Sequence, residues 1–118
     1  MVRALGDPDR RAISVFVVDR FSDASKQGES FLAGSTVGPA IALDGRGIAR
    51  GRQAYALAHE LVHVLLGDLR HPDDAGDPRT WLLMHSRSAS ARFGPKRLTA
   101  EQCAAIRGNA AGLLVRRD

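Results

Sequence analysis

Cysteine is nearly absent: Cys103 stands alone, so no disulfide can close within the chain and no cysteine cluster can hold a metal in it. Any metal site must be built from histidine and carboxylate. Aromatic residues make up only 5% of the sequence, too few for the stacking surfaces that single-stranded nucleic acid uses. No apolar run approaches the roughly 20 residues of a membrane span. The charged residues 1–11, with Pro8 among them, are unlike a signal peptide. The expectation is a soluble chain that binds no membrane, whether it stays in the cytoplasm or is exported without a cleavable signal. Lysine and arginine outnumber aspartate and glutamate by 17 to 13, and the pI is about 10.2. The arginines are dispersed rather than gathered on one stretch, which reads as a solvated basic surface and predicts no nucleic-acid partner.

What is present is enough for one core. With 118 residues, 44% of them hydrophobic, the chain is expected to be a single α+β domain over residues 1–118. Ile13 to Val18 is a β-branched run that reads as a buried strand. Ser22 to Ser30 is polar and reads as a loop. Phe31 to Val37 and Ala40 to Leu43 are two further strand candidates that could form a hairpin, closed by the turn signal Asp44-Gly45. From about Arg52 to Leu66 the pattern becomes helical, with Gly67 as its left-handed stop. Asp68 to Arg79, rich in aspartate and carrying Pro72 and Pro78, predicts a loop without regular structure. A short apolar patch follows at Trp81 to Met84. Thr99 and Gln102 fit a capping box at the start of a last helix towards Leu114.

The chemistry sits on the middle helix, in His59-Glu60-Leu61-Val62-His63. Side chains four apart on a helix lie one turn above each other, so both imidazoles can meet a single ion at about 2.0–2.1 Å. Glu60 is one position round from His59, where its carboxylate can reach a water on the metal without being a ligand. A chance match on an exposed helix is the competing explanation. The helix is apolar, however, and burying two histidines and a glutamate on it is costly unless a partner satisfies them. All four histidines of the chain also fall between positions 59 and 85.

Catalytic zinc keeps three protein ligands and leaves one position for water. His71 is the favoured third, because the helix stops at Gly67 and the chain turns back within reach. Asp68, Asp73 and Asp74 are its rivals.

These residues resemble the metzincin-like zinc peptidases of the zincin group, whose pattern is His-Glu-x-x-His-x-x-Gly-x-x-His followed by a methionine turn. Here one extra residue stands before Gly67 and another before His71, so the glycine comes one residue later and the last histidine two residues later than in that pattern, and Leu82-Leu83-Met84-His85-Ser86 looks like the methionine turn. Ordinary core filling is the plainer role for Met84. The likeness spans about residues 13–86, and its specific part is His59 to Met84. It implies a minimal zincin-like fold: a small mixed β-sheet packed on the active-site helix, then a loop region with the methionine turn, then a C-terminal helix. It also implies that the strand near Ala40 to Leu43 lines the rim of the cleft and takes an extended peptide by strand addition. Fewer elements precede the active-site helix than in the family's usual amino-terminal subdomain, so the chain is either a minimal version or the catalytic piece of a longer protein.

The resulting expectation is a zinc-dependent peptidase acting on protein or peptide substrates. Zn2+ would be held by His59, His63 and His71, with Glu60 as general base. Small metallopeptidase domains without a signal sequence suit use as a toxin or effector. His85 and Arg87 are candidate donors to the oxyanion. The alternative is a non-catalytic domain in which zinc staples a small core.

Overall fold

The computed structural model describes residues 12–23, 25–34, 38–49, 55–87 and 96–114. Three strands form one mixed sheet in the order β1-β3-β2: β1 (Ser14–Val18), β2 (Gly28–Phe31) and β3 (Ala40–Asp44). Helix α1 (Gly45–Ala49) follows β3 directly, α2 (Ala56–Leu66) carries the histidine motif, and α3 (Ala100–Leu114) closes the described chain. The architecture is α+β. No helix among the described residues is long and apolar enough to cross a membrane.

β3 runs parallel to β1, with Val15 opposite Ile41, and antiparallel to β2, with Ser30 opposite Ile41. Both of its hydrogen-bonding edges are therefore used, and four of its five residues are buried. The expectation that Ala40 to Leu43 lines a rim and receives a peptide is overturned by this topology. The edge strand facing the motif is β2. Its position also corrects the expected strand at Phe31 to Val37, because the pairing starts in the polar Gly28-Glu29-Ser30 and ends at Phe31. Ser35 to Val37 lie outside the described residues, as does the Arg52 to Ala54 part of the expected middle helix. An edge strand needs no alternating apolar pattern when its inward side chains meet a polar site, which is the case here. At Asp44-Gly45 the chain enters α1 instead of turning back. Within the loop from Asp68 to Arg79, Pro72–Ala75 form one turn of 3-10 helix.

Helix α2 has two apolar faces. Ala56 and Val64 pack with Ile41 and Leu43 of the sheet, joined by Ile13 and Leu61. Val62 packs with Leu83 and Met84, joined by Tyr55, Leu66, Leu98 and Ile106. His59 and His63 lie on the arc of the helix between those faces, and Glu60 lies at its sheet side. The segment bearing Met84 is fastened to the approach to α3 by Leu83 N–H donating to the Arg97 carbonyl at 2.8 Å. The capping box at α3 is formed in both directions: Gln102 N–H donates to Thr99 Oγ1 at 3.1 Å, and Thr99 N–H to Gln102 Oε1 at 2.9 Å.

Candidate metal centre

The path from His63 to His71 is set by the end of α2. Gly67 adopts φ 64° and ψ 29°, a left-handed conformation that favours glycine. Its N–H donates to the Val64 carbonyl and that of Asp68 to the His63 carbonyl, both at 3.2 Å. The chain thereby reverses. The Asp68 carbonyl comes to 2.8 Å from His63 Nδ1, and His71 is carried back over the helix.

Three imidazoles converge as a result. His59 Nε2 and His63 Nε2 are 3.1 Å apart, His63 Nε2 and His71 Nε2 3.1 Å, and His59 Nε2 and His71 Nε2 3.2 Å. Ligand atoms about 2.0–2.1 Å from one ion in tetrahedral array stand about 3.3 Å from each other. The other ring nitrogens fix the tautomers. His59 Nδ1 lies 2.7 Å from the Leu83 carbonyl, and His63 Nδ1 has the Asp68 carbonyl. A carbonyl can only accept, so each Nδ1 carries the proton and each Nε2 of the neutral ring presents a lone pair. Lone pairs converging at this distance repel one another, and a cation at their common point removes the repulsion. Backbone carbonyls and carboxylates on the remote nitrogen are also the usual orienting partners of metal-ligating histidines. At His71, Asp74 Oδ2 accepts from the backbone N–H at 2.7 Å and lies 3.8 Å from Nδ1, too far for a hydrogen bond to the ring. The three histidines can therefore hold a metal ion. Among the described residues no fourth side chain joins them.

The aspartates weighed as third ligand are engaged elsewhere. The Asp68 carboxylate is held by Arg70 at 2.8 Å, which lowers its pKa to about 2. Asp73 accepts from the Ser86 N–H at 2.9 Å and from its hydroxyl. That pair pins the turn following His71 to the segment following Met84, the same segment whose Leu83 carbonyl orients His59. Met84 itself is fully buried in the core beside Val62. His85 is buried too, its Nδ1 accepting from the Arg87 N–H at 3.2 Å. Of the two candidate oxyanion donors, Arg87 lines the cleft described below.

Glu60 is buried against β2. The Ser30 hydroxyl stands 2.5 Å from its Oε2 and 2.8 Å from its backbone carbonyl. With one proton to give, the hydroxyl favours the charged oxygen. Gly28, two residues before Ser30 and on the same face of β2, leaves the space that the glutamate needs: a Cβ there would come within 2.8 Å of Glu60 Cγ. Neither Gly28 nor Ser30 was marked by the sequence. A cleft of about 1080 Å³ opens over the site, lined among others by His59, Glu60, His63, His71, Gly28 and Ser30.

Burial lowers the pKa of His59 from 6.5 to about 4; its hydrogen bond to Leu83 opposes the shift, while His63 and His71 add to it. Burial, then His63, lowers that of His71. In the metal-free protein the unfolded chain takes a proton on His59 near pH 6.5 and the folded chain only near pH 4. Between these values the unfolded state binds more protons, so stability falls as pH falls. The loss over that window is on the order of 3 kcal/mol. Urea denaturation of the metal-free protein between pH 7 and 4 is expected to show it, with a flatter profile in His59→Gln. Equal slopes would remove His59 as the cause.

Comparison with protein-family models, with curated proteins and with solved structures returned no match to this chain.

Proposed function

We propose that the chain is a zinc-dependent peptidase in which His59, His63 and His71 hold the ion and Glu60 is the general base. The observation that carries this is the convergence of three Nε2 atoms at 3.1–3.2 Å beside a buried carboxylate in one open cleft. Three neutral nitrogen donors suit zinc, a borderline-soft ion, better than calcium or magnesium, which take oxygen. With such a ligand set zinc supplies a Lewis acid and brings the pKa of a coordinated water to about 7.

The chain's own residues supply the rest. Glu60 accepts the water's proton and hands it to the departing amine. Ser30 fixes the rotamer of Glu60, and Gly28 keeps β2 close to it. β2 pairs only with β3 among the described residues, so its other edge is the one suited to align an extended peptide by strand addition. Three ligands and an open cleft favour catalysis over a stapling role, because structural zinc sites are closed by four protein ligands.

Cleavage of a mixed peptide library, abolished by chelator and restored by zinc, tests the proposal; a stoichiometric zinc with no cleavage in either state supports the stapling role instead. Gly28→Ala gives a finer check. Its methyl group displaces Glu60, and a misplacement of about 1 Å can cost roughly 100-fold in rate. The expected result is at least a tenfold loss of kcat, about 1.4 kcal/mol in the barrier, with zinc content unchanged. A wild-type kcat in Gly28→Ala would argue against Glu60 acting from this position.

A further inference from the structure

The cleft is lined by both signs of charge, and the two are not equally free. Among its carboxylates, Asp23 accepts from the Ser25 N–H at 2.9 Å and from its hydroxyl at 2.6 Å. Glu29 pairs with Lys26 at 2.9 Å, Asp44 accepts from the Arg46 N–H at 3.2 Å, and Glu60 has Ser30. Each is already met by the chain itself. Among the cations, Lys26 is taken by Glu29, Arg46 by Asp19 at 3.3 Å, and Arg87 is engaged as well. Arg20 is different. It follows β1 at the end of the sheet where Val18 pairs with Asp44, it is exposed and it lines the cleft. It has no hydrogen-bond or ion-pair partner among the described residues.

A guanidinium with no partner among the described residues, in a cleft whose described carboxylates are all engaged, has one natural complement, a carboxylate from the ligand, which its planar fork can receive through two hydrogen bonds. The net charge of +4 acts in the same direction at longer range by drawing anionic ligands towards the surface. Resting on the peptidase reading, we propose that Arg20 makes the cleft selective for peptides carrying a carboxylate on one side of the bond that is cut. Two sources share that chemistry, an aspartate or glutamate side chain and the peptide's own C-terminus.

Binding to the zinc-loaded Glu60→Gln chain, followed by fluorescence anisotropy, tests this without turnover. The probes are labelled peptides in which a glutamate is stepped along the sequence, each matched by a glutamine twin, with free and amidated C-termini. The glutamate or free-acid form is expected to bind about three- to fivefold more tightly than its twin, the range of an exposed ion pair. That preference should vanish in Arg20→Gln and shrink at high salt. A glutamate-to-glutamine effect identifies a side-chain carboxylate, and an amidation effect identifies the terminus. Binding that ignores charge, or a preference that survives in Arg20→Gln, overturns the proposal and leaves the peptidase reading standing. Absence of binding by every peptide overturns both.

Discussion

Glu60→Gln is expected to keep one zinc per chain and a wild-type melting temperature while losing turnover by about 100- to 10,000-fold, the range associated with a positioned general base. The substitution is close to isosteric, and the amide oxygen can still accept from the Ser30 hydroxyl that now stands 2.5 Å from Glu60 Oε2. Packing against Gly28 is preserved, since Cγ, the atom that a Cβ at that position would meet first, is unchanged. What the amide cannot do is take a proton. The separation of effects is the informative part: kcat falls, while zinc content and peptide binding do not. If activity persisted at the wild-type level, Glu60 would be only a buried partner of Ser30. If zinc were lost as well, the carboxylate would be part of the ligand set, contrary to the geometry of three converging Nε2 atoms.

Removing the metal is expected to have the largest effect on stability. His59 and His63 are both buried, and with their Nδ1 protons committed to backbone carbonyls their Nε2 lone pairs face each other at 3.1 Å. The folded, metal-free chain carries that repulsion and the desolvation of both rings. An ion that binds only the folded state stabilises it by about 4 kcal/mol when its free concentration is 1,000 times the dissociation constant. For a chain of this size each kcal/mol moves the midpoint by roughly 4 °C, so a strong chelator should lower Tm by on the order of 15 °C. His63→Ala provides the control. It should bind no zinc, show no response to chelator, and melt near the metal-free wild type, because deleting one lone pair relieves part of the repulsion as it removes the ligand. A chelator shift retained in His63→Ala would place the stabilising ion somewhere else.

The parts of the site that were legible in the sequence are those in which one residue's role is fixed by helix geometry or by a local stop. His59 and His63 had to share a face once the stretch around them was helical. Gly67 marked where that helix ends, and Thr99 with Gln102 marked where the last one begins. His71 followed from the shortness of the return path. The parts that were not legible depend on which strand lies beside which helix. Nothing in Gly28-Glu29-Ser30 is apolar enough to announce a strand; those residues pair because β3 offers an edge and because Glu60 needs a glycine and a hydroxyl opposite it, 32 and 30 positions away along the chain. β3 looked suitable for receiving a peptide as long as its neighbours were unknown, and its central place in the sheet removes that role. The groups that orient His59 and His63 are the backbone carbonyls of Leu83 and Asp68, which every residue type possesses and which therefore leave no mark on a sequence. The Asp73 carboxylate, a metal ligand by residue type alone, ties Ser86 instead.

X-ray absorption at the zinc edge of the purified, zinc-loaded protein is the most direct measurement of the central claim, that three imidazoles meet one ion. Three nitrogen neighbours at about 2.0–2.1 Å with the outer-shell scattering of imidazole rings, plus one lighter oxygen-type neighbour, are the predicted result. A spectrum with fewer than three imidazoles, with carboxylate in place of His71, or with no zinc retained after dialysis would contradict it.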